Sequence, residues 1–213
     1  MIRHHPSAET LLAHAAGTLP AGQALVVAAH VQGCGACRAE LARLEALGGA
    51  VLDELAPEPL AAEAFAAVLD RLDAPAPKPP APPRQADLGL PAGLRLPAAL
   101  HGAEIGRWLW VGPGIRYSRV RLPWAPNENV MLLRVGGSRR VIPHSHGGAE
   151  FTQVLHGGFT DSTGHYGPGD MAEADHDLAH QPAADPEGCI CLAALEGGLR
   201  LPWRGWRTTR RHG

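Results

Sequence analysis

Residues 75–83 read Pro-Ala-Pro-Lys-Pro-Pro-Ala-Pro-Pro, six prolines in nine positions. Proline fixes φ and has no N–H to donate, so this stretch can be neither a helix nor a sheet interior. It favours the extended polyproline conformation of a semi-rigid spacer. The run therefore divides the 213-residue chain, whose length suits two small domains or one large one. The spacer is expected over residues 73–98, between one domain at 1–72 and another at 99–213.

The two sides differ in local character. Residues 1–72 read as helices. Ser7 is a candidate N-cap for a helix reaching about Ala16 and ended by Gly17. Pro20 suits the first turn of a second helix with the apolar body Ala24-Leu25-Val26-Val27. A third helix follows Cys34, with Leu41, Leu44 and Leu47 on one face, and Gly48-Gly49 is expected to interrupt it. A fourth runs from about Leu60 to Leu72, with Phe65, Val68, Leu69 and Leu72 together. Beyond residue 100 the chain breaks into short β-type runs at 107–111, 115–120, 130–135, 150–155 and 190–195, separated by Gly, Pro and Asn. Many short strands with turn signals predict a sandwich or barrel, with the tryptophans, Trp108 and Trp110 among them, in its core.

Charge narrows the function classes. Residues 1–72 hold four Arg against eight Asp and Glu. An acidic domain argues against direct nucleic-acid binding and is compatible with gripping a protein that itself binds DNA. No apolar run approaches the roughly 20 residues needed to span a bilayer, and the N-terminus does not read as a signal peptide. A cytoplasmic location without membrane attachment is expected. Arg204, Arg207, Arg210 and Arg211 read as a solvated basic tail.

Four cysteines fall in two close pairs, Cys34/Cys37 and Cys189/Cys191. In a cytoplasmic setting this spacing points to metal or redox chemistry before a structural disulfide. The segment His30-Val-Gln-Gly-Cys34-Gly-Ala-Cys37 offers two thiolates on one turn and an imidazole one helical turn earlier. Zinc takes four tetrahedral ligands of this kind. The fourth is best supplied by His5, on a short leading segment that can fold back, with His4 and His14 as alternatives. A redox Cys-x-x-Cys would want a βαβ setting, which this helical region lacks.

The second cluster is His144-Ser-His146-Gly-Gly-Ala-Glu150. Alternate residues on a strand share a face, so His144 and His146 point the same way. Two imidazoles, a carboxylate and a later histidine make a mixed N/O site for a divalent metal. His180 and His176 are the candidates for the last position. The spacing from His144 to Glu150 and Gly157 resembles the first cupin motif. Gly167-Pro168-Gly169-Asp170 followed by His180 resembles the second. One departure is Ser138, which stands where the first motif has glycine. Cys189 and Cys191 would share a strand face, either as a redox pair or as small buried core residues.

The order of both motifs, together with Ile2-Arg3-His4-His5, Ala15-Ala16-Gly17-Thr18-Leu19, Leu25-Val26-Val27-Ala28 and Cys189-Ile190-Cys191, resembles the ChrR-type zinc-binding anti-sigma factors along nearly the whole chain. The resemblance implies a two-domain α + β architecture, a small all-helical zinc-binding bundle followed by an all-β cupin barrel, the double-stranded β-helix. It implies His5, His30, Cys34 and Cys37 as ligands of Zn2+, and His144, His146, Glu150 and His180 as ligands of a second divalent ion, with Zn2+ favoured. It further implies sequestration of a group IV, extracytoplasmic-function, sigma factor, relieved under singlet oxygen or related oxidative stress. The alternative is a metal-dependent cupin dioxygenase or isomerase with an appended zinc domain. Against it, no further acid/base pair is placed near the metal motif, and the His/Cys domain has no evident task in such an enzyme. An adaptor with an inert cupin is a third reading.

Overall fold

The computed structural model describes residues 1–72, 75, 86–175, 180–197 and 199–200. Four helices come first: α1 (Ala8–Ala15), α2 (Ala21–Gly33), α3 (Gly35–Asp53) and α4 (Ala64–Leu72). Ser7 caps α1, its hydroxyl oxygen accepting from the Thr10 N–H at 3.1 Å. Gly17, at φ +67°, ends that helix in the left-handed region, where glycine has no steric penalty. Pro20 precedes the first turn of α2. Cys34 separates α2 from α3 and caps α3, its sulfur facing the Cys37 N–H. The expected break at Gly48-Gly49 does not occur. Each glycine costs a helix about 1 kcal/mol relative to alanine, too little to stop it between good helix formers.

The remaining strands are β1 (Glu104–Ile105), β2 (Leu109–Gly112), β3 (Ile115–Leu122), β4 (Ala125–Val135), β5 (Ser145–His146), β6 (Glu150–Thr160), β7 (His165–Tyr166), β8 (Met171–Ala174), β9 (Ala183–Leu195) and β10 (Leu199–Arg200). Eight form one antiparallel sheet in the order β1-β3-β4-β9-β6-β7, with β2 beside β3 and β8 beside β6. β5 and β10 form a second, two-stranded sheet. Residues of the large sheet and of the loops at its ends line one cavity of about 890 Å³, the interior of the barrel.

Period-2 alternation gives the large sheet two buried faces. Val120, Val130, Ala194 and Phe151 stand side by side in one row across β3, β4, β9 and β6, and point outward from the barrel. The row three residues along, Tyr117, Leu133 and Cys191, points into the cavity. The outward row packs against the helical half. Leu25, Val26, Val27, Ala29 and Val31 of α2 join it in one core. This explains why α2 is apolar on all sides: it lies between its sister helices and the sheet, and eight of its thirteen residues are buried. Gly22 lets the helix approach closely, since a Cβ there would stand 2.9 Å from Val130 Cγ2 and 2.7 Å from Glu128 Oε2. Its N–H donates to Glu128 at 3.0 Å.

Of the expected spacer, residues 73–74 and 76–85 lie outside the described residues. Its last part is packed. Leu88 is buried, the Ala86 N–H donates to the Ile105 carbonyl at 2.9 Å, and the Trp108 indole N–H donates to the Leu88 carbonyl at 2.7 Å. Trp110 departs from its expected core position and is 71% exposed. The alternation that buries Ile115 and Val120 in β3 does not extend to β2, an outer strand with three exposed residues.

Candidate metal centres

The α2–α3 junction brings His30, Cys34 and Cys37 to one point, and the segment before α1 adds His5. The His5 Nδ1 atom lies 3.4 Å from Cys34 Sγ and 3.3 Å from Cys37 Sγ. His30 Nε2 lies 3.3 Å from Cys37 Sγ. A tetrahedral ion with Zn–S near 2.3 Å and Zn–N near 2.0 Å requires N···S edges of about 3.5 Å, so the four donors fit such an ion. His30, Cys34 and Cys37 are buried while His5 is exposed. The alternatives to His5 are placed elsewhere: His4 turns its ring to Asp170, and His14 lies outside the cluster.

Electrostatics fit a cation here. Burial, reinforced by the neighbouring Cys34, pushes the Cys37 thiol up to about 12. The Cys37 sulfur therefore resists ionisation until a positive ion compensates it. Burial also lowers the His30 pKa and favours the neutral ring. The His30 Nδ1–H donates to the Gly169 carbonyl at 2.9 Å, which leaves the Nε2 lone pair aimed at the sulfurs.

The second centre faces the barrel cavity. His144 and His180 meet in an isolated bridge beside β5, their Nε2 atoms 3.1 Å apart. Glu150, at the start of β6, completes a group of three potential ligands. His146 has its backbone in β5, and its side chain lies outside the described residues, as does the whole of His176. Both described imidazoles are oriented from behind. The His144 Nδ1–H donates to the Ile142 carbonyl at 2.8 Å, and the His180 Nδ1–H donates to Asp161 Oδ2 at 3.0 Å. The Thr152 hydroxyl donates to Glu150 Oε1 at 2.8 Å. Burial pulls the Asp161 carboxyl upward, but hydrogen bonds from Thr163 and His180 outweigh it and hold the group below its ordinary range.

Asp161 and Thr152 were not singled out from the sequence. Thr152 carries a weak signal, being two residues beyond Glu150 on the same face. Asp161 carries none, because its partner lies 19 residues away across the barrel. Cys189 and Cys191 are both buried on the cavity wall, with sulfurs 3.8 Å apart. The thiol of Cys191 donates to Cys189, which raises the pKa of the donor and lowers that of the acceptor.

Residues 99–197 match the family described as ChrR Cupin-like domain. Over 201 residues the chain is 40% identical to the anti-sigma-E factor ChrR of Cereibacter sphaeroides, spanning 94% of this chain and 92% of that protein. The crystal structure of Rhodobacter sphaeroides SigE in complex with the anti-sigma ChrR matches with a TM-score of 0.74 at 38% identity, covering 92% of this chain and 100% of that one. A helical bundle with a His/Cys donor set, joined to a cupin, defines a class of regulatory protein rather than an enzyme. Within that class, the chain belongs to the ChrR anti-sigma factor family. The dioxygenase or isomerase alternative is set aside on this ground. Among the described residues, no helix is long and apolar enough to cross a membrane.

Proposed function

We propose that this protein sequesters an extracytoplasmic-function sigma factor through its helical half and releases it under singlet oxygen or related oxidative stress. The observation that carries the reading is the end-to-end likeness to ChrR, whose solved structure is a complex with SigE. A partner of this kind implies a cytoplasmic site of action and no direct contact with nucleic acid.

An exposed apolar face supports a protein partner. Helix α4 has no buried residue, and Phe65, Val68, Leu69 and Leu72 form one apolar stripe at 75%, 56%, 45% and 74% exposure. Leu47, Val51 and Leu52 at the end of α3, and Leu55 just beyond it, add further exposed apolar surface. Contiguous apolar surface of this kind marks interaction sites in soluble proteins.

In the proposal, His5, His30, Cys34 and Cys37 hold a structural Zn2+, because two thiolates and two imidazoles are a preferred zinc donor set. His144, His146, Glu150 and His180 hold a second divalent ion, with Zn2+ favoured by family likeness. That more open site, or the Cys189/Cys191 pair beside it, would receive the signal. The domain division at 1–72, 73–98 and 99–213 belongs to the same proposal.

The test is affinity capture from the native host with mass spectrometry, followed by in vitro transcription with the captured factor. A sigma factor in the eluate, silenced by stoichiometric protein, is expected. Undiminished sigma-dependent transcription at excess protein would overturn the proposal.

A further inference from the structure

Besides the packing of α2 on the sheet, the helical half meets the barrel at a turn, residues 167–170. This turn touches the segment that carries His5 and the ring of His30. We propose that it is the positioning element of the N-terminal metal site: the barrel holds both histidine ligands in their metal-binding pose. The proposal rests on the zinc reading of His5, His30, Cys34 and Cys37.

Two independent sets of contacts carry it. The first fixes His30. Its ring is fully buried, and its Nδ1–H donates to the Gly169 carbonyl at 2.9 Å. That acceptor comes from the barrel, 139 residues away. It sets the tautomer that leaves Nε2 for the metal. Gly169 itself sits at φ +90°, and a Cβ there would stand 2.8 Å from the Ile2 side chain, so only glycine allows the turn to come this close.

The second set fixes His5 through its neighbours. Asp170 Oδ1 accepts from the backbone N–H of Arg3 at 2.6 Å and of His4 at 3.1 Å. Its Oδ2 accepts from the Gly167 N–H at 3.0 Å and faces the His4 ring Nδ1 at 3.2 Å. The Met171 N–H donates to the His4 carbonyl at 3.1 Å, and the Ser7 N–H donates to Glu173 Oε1 at 3.0 Å. The backbone on both sides of His5 is thus held by the barrel. Ordering the segment ahead of α1 costs conformational entropy, which these bonds offset before a metal arrives. Asp170 is only 4% exposed, so the bonds are made away from water.

The turn is also part of the barrel's own metal framework. The Gly169 N–H donates to the Val154 carbonyl at 2.8 Å, and the Val154 N–H donates to the Asp170 carbonyl at 3.0 Å. Val154 lies on β6, four residues after Glu150, and β8 pairs Ala174 with Glu150. A shift of Glu150 and its strand therefore moves the groups that position His5 and His30. Coupling of this kind is reciprocal: whatever firms one site must firm the other.

The experiment uses the full chain loaded with Co2+, whose thiolate charge-transfer band reports the Cys34/Cys37 site, since the barrel donors are imidazole and carboxylate. Release to a chelator is followed for wild type, Asp170→Ala, Asp170→Asn and His4→Phe, with barrel metal content measured in parallel. Loss of such outer hydrogen bonds weakens metal binding about 10–100-fold. Release from Asp170→Ala is expected to be at least about tenfold faster. Asp170→Asn should be intermediate, because it keeps the oxygen that accepts from Arg3 and His4. His4→Phe, which keeps the ring against Tyr166 but removes its hydrogen bond, should be modestly faster. Absence of the band in wild type would overturn the zinc reading itself. A normal band with wild-type release in Asp170→Ala and His4→Phe would overturn the positioning role alone. If Asp170→Ala also strips the barrel metal, His4→Phe decides, since it alters no barrel residue: faster release supports the role and wild-type release removes it.

Discussion

Ser138 has φ +58°, the only positive φ among the described non-glycine residues. This is the position where the first cupin motif carries glycine, and the backbone explains the preference: the chain turns there through the left-handed region. A side chain in that region costs roughly 1–2 kcal/mol, partly returned by the lower unfolded-state entropy of serine. Ser138→Gly is therefore expected to stabilise the protein by up to about 1 kcal/mol, read as a higher urea midpoint at unchanged slope. An unchanged or lower midpoint would contradict the strain. At this scale the sequence was most legible where spacing obeys a local period. His30, Cys34 and Cys37 follow from a helical turn and a Cys-x-x-Cys, and His144 follows from its motif. Asp170 was seen only as a motif residue. Its partners Arg3 and His4 lie 167 and 166 residues away, and no local pattern encodes such a meeting.

Among the elements, α2 and α4 show opposite uses of apolar sequence. α2 was legible as a helix, but not as a helix lying on the barrel, because all-round hydrophobicity reveals burial without naming the surface that supplies it. Gly22 was equally silent, its role being set by Val130 and Glu128 on β4. α4 was legible as an amphipathic stripe, and among the described residues nothing covers it: Phe65 and Leu69 face solvent. Phe65→Glu with Leu69→Glu is expected to leave the unfolding free energy within about 0.5 kcal/mol of wild type, as surface substitutions do. The same variant should weaken sigma capture by an order of magnitude or more, since buried aromatic anchors dominate interfaces. Calorimetry and capture on the same preparations check both halves of this expectation. Unaltered capture would move the partner's footprint off α4.

At the scale of the whole molecule, the two halves differ in what holds them together. The barrel has continuous ladders from β3 through β4 and β9 to β6, and its buried rows do not depend on a metal. In the bundle, α1 and α3 bury little: Thr10 and Leu11 of α1 and Cys37 of α3 are their buried residues. Such elements gain too little from apolar burial to offset chain entropy, so the metal site must supply the difference. Structural zinc in small peptides contributes roughly 10–16 kcal/mol of apparent binding free energy. α2 is the exception, because Leu25, Val26 and Val27 also lie against the outward row of the sheet. Cys34→Ser, or chelation of the wild type, is therefore expected to melt α1 and α3 while the barrel persists. Circular dichroism should lose much of its helical signal. Scanning calorimetry should change from one cooperative transition with metal to a barrel transition alone, and the wild-type midpoint should rise with free metal by mass action. Sigma capture should weaken with the helical signal, because the exposed apolar surface on α3 is lost with the helix. Full helicity and an unshifted midpoint after complete removal of the metal would show that packing against the sheet alone sustains the bundle.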